Sequence, residues 1–245
     1  HSSGSSLLYA TFIGGNSDDL AFGLGIDPAG NAYITGRTTD GSSDYPTTVG
    51  AFDTTHNGFL DVFVTKLDAA GSSLVYSTYL GGVNDDFANG LTVDRAGNAI
   101  VTGRTDGFGY PIVAGSYDAS QNGADDVFVT KLNAVGTALV SSTYIGGSAD
   151  DVGFAVTSDP LGNIFVMGWS AGGSPAYPTT AGAADTTANG GNDVFVTKLF
   201  SGTAPFDLDG DRKTDLSIFR PNGASSEWWW LKSSTAGNAA LQFGA

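Results

Sequence analysis

Cysteine does not occur in this chain of 245 residues, which removes disulfide frameworks, thiolate nucleophiles and Cys-ligated zinc from consideration. Basic residues are scarce: 10 against 25 acidic ones leave a formal net charge of −15. A surface of that sign repels phosphate backbones and anionic lipid, so nucleic acid and membrane surfaces are poor partners and divalent cations are natural ones. No run approaches the ~20 apolar residues a membrane-spanning helix needs, and no basic region followed by an apolar one opens the sequence. The opening His1-Ser2-Ser3-Gly4 reads as the remnant of an affinity tag, so residues 1–4 are kept out of the fold.

Parts for acid–base chemistry are equally few. With His1 set aside, His56 is the one histidine, expected on the surface in an Asn-Gly-rich stretch, and Glu227 is the one glutamate. There is no Gly-x-Ser-x-Gly elbow, no histidine set for zinc, and no aspartate pair singled out for glycoside cleavage. No catalytic constellation is legible.

What the chain does have is repetition. Asp-Val-Phe-Val-Thr-Lys-Leu occurs at Asp61–Leu67, Asp126–Leu132 and Asp193–Leu199. Around it align three units, residues 5–71, 72–136 and 137–202, followed by a different segment over 203–245. Each unit opens on an alternating stretch ending in Gly-Gly: Leu7 to Gly15, Leu74 to Gly82, Leu139 to Gly147. The alternation and the β-branched and aromatic content predict strands, and the glycine pairs read as turn residues.

An aspartate doublet follows (Asp18–Asp19, Asp85–Asp86, Asp150–Asp151), then a short apolar run, then Asp-x-x-Gly-Asn at Asp27, Asp94 and Asp159. That last spacing predicts a hairpin, because the Asp side chain accepts N–H bonds of the turn while the glycine takes positive φ. The doublets are read as caps on loop N–H groups, with metal binding as the weaker alternative. A looser segment containing Tyr45-Pro46, Tyr110-Pro111 or Tyr177-Pro178 leads to the final strand, which is apolar on both faces and must be covered on both. The fold class that follows is all-β: a β-propeller of four-stranded antiparallel blades, about four in this chain.

The ordered set Leu-Val-Tyr-Ser-Thr-Tyr-Leu-Gly-Gly, Asp-Asp, Val-Asp-x-x-Gly-Asn-Ala, Thr-Gly-Arg-Thr, Tyr-Pro-Thr-Thr and Asp-Val-Phe-Val-Thr-Lys-Leu resembles the bacterial β-propeller repeats called SBBP, over about residues 5 to 200. The resemblance implies a propeller in a bacterial secreted or cell-surface protein and says little about activity.

The segment 203–245 resembles an FG-GAP or VCBS repeat, another blade type, through Phe-Asp-Leu-Asp-Gly-Asp-Arg-Lys-Thr-Asp. Asp207, Asp209, Asp211 and Asp215 take positions 1, 3, 5 and 9 of an acidic loop, with the Lys213 carbonyl at position 7. Alternate oxygens converge on one point in such a loop, which predicts Ca2+ as cofactor, the alternative being a solvated acidic turn. Trp228 and Trp230 share one face of a strand, as packing between blades or as a ligand platform.

Two functions stay open: a noncatalytic extracellular module for surface display, adhesion or recognition of a glycan or protein ligand, with calcium stabilising the terminal blade, or a carbohydrate-binding or carbohydrate-active propeller. Ring closure has three solutions: the chain is part of a longer secreted protein, Leu7–Ile13 completes the terminal blade, or copies assemble as a homo-oligomer. The first is preferred.

Overall fold

A computed structural model describes residues 5–39, 44–173, 176–200, 216–222, 225–231 and 240–243, the last three segments by their backbone. The chain divides into two units, His1–Leu199 and Phe200–Ala245. All regular structure among the described residues is β.

The first unit holds three antiparallel sheets. Strands β1 (Asp19–Ile26), β2 (Ala32–Thr39), β3 (Leu60–Leu67) and β4 (Leu74–Leu80) pair in sequence order, and so do β5 (Asp86–Val93), β6 (Ala99–Thr105), β7 (Asp126–Leu132) and β8 (Leu139–Ile145). The third sheet is β9 (Asp151–Ser158), β10 (Ile164–Ser170) and β11 (Asp193–Leu199), with β10 in the middle. These sheets are propeller blades, and β1, β5 and β9 are neighbours from blade to blade, so the blades stack around their first strands.

The hairpins form as the sequence dictates. Asp27 Oδ1 accepts from the amides of Ala29 and Asn31 at 3.0 Å while Gly30 sits at φ 86°. Asp94 and Asp159 repeat the arrangement, with Gly97 at 82° and Gly162 at 88°.

The double-sided strand is covered on both faces in the first two blades, whereas in the third, against the expectation, Val194 and Val196 of β11 are exposed because no described blade follows it. One core cluster joins the first two blades through Val62, Val64 and Leu80 against Leu91, Val101 and Phe128; a second joins the second and third blades through Val127, Val129 and Ile145 against Val156, Val166 and Phe195. At ~25 cal/mol per Å2 of apolar area, such interfaces are the chief source of stability in stacked repeats.

The Tyr-Pro segment, loose in sequence, is a built wall. Tyr45 stacks on Phe63 at 4.4 Å, and its hydroxyl shares a hydrogen bond with Thr65 Oγ1 (2.9 Å), which continues to Ser77 Oγ (2.7 Å). Tyr110, Thr130 and Ser142 repeat that chain at 2.9 and 2.8 Å.

Three expectations change. Leu7–Ile13 is not in a strand: Leu7, Leu8 and Phe12 are exposed, because no β3-like strand lies beside this segment among the described residues. His56 is half-buried rather than on the surface, set edge-on to Tyr79 at 5.6 Å. The Gly-Gly steps are needed for room rather than for φ: a Cβ on Gly81 would stand 2.5 Å from Asp61 Oδ1.

The second unit contains one sheet, β12 (Leu216–Asn222), β13 (Ser225–Leu231) and β14 (Ala240–Phe243), with β13 in the middle.

Candidate binding site

The fourth strand of a blade lies in a slot with main-chain partners on both sides. In the first blade β4 pairs with β3, Val64 opposite Thr78, and its other edge is held by the Tyr-Pro segment. Thr48 N donates to Ser77 O (3.0 Å), Tyr79 N donates to Asp53 O (3.0 Å), and Thr78 Oγ1 donates to Asp53 O (2.9 Å). The second blade repeats this with Val113 N to Ser142 O, Tyr144 N to Asp118 O and Val129 opposite Thr143.

In the third blade the two walls are present and no described segment lies between them. Tyr177 stacks on Phe195 at 4.3 Å and bonds Thr197 Oγ1 at 2.8 Å, as its counterparts do. Thr180 and Asp185 stand where Thr48 and Asp53 stand in the first blade. Between them and β11 runs a groove of about 450 Å3, lined by Tyr177, Thr180, Asp185, Asn189, Phe195 and Lys198. Val194 is 80% and Val196 73% exposed, whereas their counterparts Val62 and Val64 are fully buried. An edge strand with unpaired main-chain groups beside an apolar trough is chemically suited to an extended peptide, which supplies N–H and C=O groups on one side and alternate side chains on the other.

Charge across the three blades is governed by the aspartates. Each hairpin aspartate faces the lysine of its blade: Asp27 with Lys66 at 3.1 Å and Asp94 with Lys131 at 2.8 Å, both largely buried, and Asp159 with Lys198 at 3.9 Å, half-exposed beside the groove. Burial opposes ionisation of Asp94, but bonds from Lys131 and Asn98 outweigh it and hold its carboxyl below the usual range. The second aspartate of each doublet caps its Gly-Gly step, Asp86 Oδ2 accepting from Gly82 N at 2.7 Å and Asp151 Oδ2 from Gly147 N at 2.6 Å. Burial and the nearby Asp61 push Asp86 up to about 7, and burial with the nearby Asp151 pushes Asp126 up to about 6.

Of the residues singled out from sequence, Asp207, Asp209, Asp211, Lys213 and Asp215 lie outside the described residues. Trp228 and Trp230 lie on β13, with Trp228 opposite Phe219 and Phe243 and Trp230 opposite Ser217 and Leu241. The groove of the third blade was missed because it is formed by residues that in the first two units are plain framework. The signal that marks it is the lack of a Leu-Val-Tyr-Ser-Thr-Tyr-like stretch after Leu199.

No curated protein matches the chain. The family model of SBBP, a β-propeller repeat, matches residues 8–49, 75–111 and 142–174. The second and third matches each begin in the fourth strand of one blade and run through the first two strands of the next. In those three segments the chain carries SBBP-type β-propeller repeats.

Proposed function

We propose that this chain is a noncatalytic extracellular propeller module for display and recognition, whose third blade takes up an extended segment as its fourth strand. The observation that carries the reading is the groove of the third blade, flanked by the same main-chain walls that hold β4 and β8 in the other two. Binding of this kind draws its affinity from main-chain hydrogen bonds and its selectivity from pockets for alternate side chains. Here those pockets suit the pattern Leu-Val-Tyr-Ser-Thr-Tyr-Leu.

The bacterial surface location rests on the resemblance of the repeats. Calcium held by Asp207, Asp209, Asp211, Asp215 and the Lys213 carbonyl would rigidify the terminal segment, as the spacing of that loop supports.

A fluorescent peptide with the sequence of Leu74–Gly82 tests the groove. It is expected to bind saturably and to lose binding when its order is scrambled. Equal binding of both peptides, or of neither, overturns the reading, and a hit on a glycan array in that case would favour a lectin.

A further inference from the structure

The repeat buries a pair of aspartates at each junction between consecutive blades. Asp61 on β3 and Asp86 on β5 meet over Gly81, the point where its Cβ would stand being 2.5 Å from Asp61 Oδ1 and 3.0 Å from Asp86 Oδ2. Asp126 on β7 and Asp151 on β9 meet over Gly146 in the same way. All four residues are at most 1% exposed. Each uses Oδ2 to accept an amide, Asn57 N and Asn122 N at 2.7 Å, Gly82 N at 2.7 Å and Gly147 N at 2.6 Å, and the hydroxyls of Thr105 and Ser170 add to the hold on Asp86 and Asp151, as the Gly58 amide does on Asp61. The Oδ1 atom of all four is buried without a hydrogen-bond partner.

Buried carboxylates persist when they are protonated, paired with a cation or bound to a metal. The described ion pairs involve other aspartates, and the nearest titratable base is His56, beside Asp61 in the first junction, with no histidine counterpart in the second.

Carbonyl oxygens converge on the same places. Around the point where a Cβ of Gly58 would stand lie Asn84 O, Gly82 O and Asp61 Oδ1; around that of Gly123 lie Ala149 O at 2.5 Å and Gly147 O at 2.9 Å, with the Ala149 amide nitrogen behind them at 3.2 Å. Beside the third blade the equivalent Gly190 meets nothing within 4 Å. Among the described residues the cradle therefore occurs where a following blade supplies its carbonyls. Among the described residues no three acidic or histidine side chains come together, so each cradle offers two carboxylates completed by main-chain oxygens. That is a hard, all-oxygen donor set of mixed charge, which suits calcium, an ion that accepts six to eight such ligands in flexible geometry and fills the remainder with water.

We propose that the two blade junctions, Asp61 with Asp86 and Asp126 with Asp151, are calcium sites that lock one blade to the next.

The terminal acidic loop is silenced first, in a full-length Asp209→Asn, Asp211→Asn background, so that this inference and the reading of that loop fail separately. Equilibrium dialysis with labelled calcium is expected to show two ions still bound in that background, one lost on Asp61→Asn and the other on Asp126→Asn. In chelator the Asn variants are expected to melt no lower than the background, and in calcium to melt lower. Retention of calcium by both Asn variants, or none bound in the background, overturns the proposal. Terbium luminescence of the background chain serves if the Asn variants do not fold, since Tyr79 and Tyr144 lie close enough to feel the charges of Asp61 and Asp126. Sensitised emission displaced by calcium is expected, and absence of emission overturns the proposal.

Discussion

At the scale of single residues, the three hairpin aspartates form an internal experiment on burial. Asp94 faces Lys131 with side chains 10% and 11% exposed, whereas Asp159 faces Lys198 with 24% and 54% exposed and a longer separation, 3.9 against 2.8 Å. Water screens the second pair and not the first, so the chemistry is the same and the energies differ. Because the folded carboxyl of Asp94 titrates below its unfolded value, its contribution is complete above about pH 4 and is lost as pH falls further. Asp94→Asn is expected to cost about 2 kcal/mol at pH 7 and to flatten the acid limb of the stability profile. Asp159→Asn is expected to leave the urea midpoint close to that of the parent chain. Urea unfolding from pH 2 to 7 checks both, and equal costs at the two positions would show that the lysine contact is not what matters. The turns themselves were legible from Asp-x-x-Gly-Asn, since their geometry is local. The role of the lysine was not, because it is brought to the turn by a strand more than thirty residues further along.

The strand is the next scale, and there sequence and environment separate. β3, β7 and β11 share Asp-Val-Phe-Val-Thr-Lys-Leu, yet Val127 is fully buried and Val194 is 80% exposed. Apolar character on both faces was readable as a demand for cover, and which copy receives it was not, because that is decided by the neighbouring blade. Val127→Ala is expected to lower stability by about 2 kcal/mol through a cavity against the third blade. Val194→Ala is expected to stay within about 0.5 kcal/mol. Chemical denaturation of the two variants checks this, and a large cost at Val194 would mean that its face is covered in solution. The same reasoning explains Leu7–Ile13. Its alternation is that of β4 and β8, but alternation specifies a strand only when a partner edge is present. The Tyr-Pro segment misled in the opposite direction: small polar residues suggested a loop, and hydrogen bonds from Tyr45, Thr48 and Asp53 make it the outer wall of the blade.

At the scale of the first unit, the repeat leaves complementary parts at its two ends. Leu7 to Gly15 keeps the contacts of a fourth strand on the side facing the chain that follows it. Gly15 N donates to Asp19 Oδ2 at 2.7 Å as Gly82 N does to Asp86, and Tyr9 lies against Gly71 as Tyr76 lies against Gly136. Without forming a strand it is thus placed against β1 as β4 is placed against β5, while the third blade has the slot for a fourth strand. Strand addition between copies would join the two with contacts the molecule already makes twice. The register carries over directly: Val64 opposite Thr78 and Val129 opposite Thr143 place Val196 opposite Thr11. Since the chain has no cysteine, Thr11→Cys together with Val196→Cys gives an unambiguous readout, and both side chains are exposed, so the exchange leaves the core alone. Air oxidation is expected to yield a disulfide between copies, visible as a non-reducing dimer or longer ladder that grows with protein concentration. A disulfide formed within one chain would mean that the segment folds back to complete its own third blade, and no disulfide at any concentration would mean that another segment fills the slot.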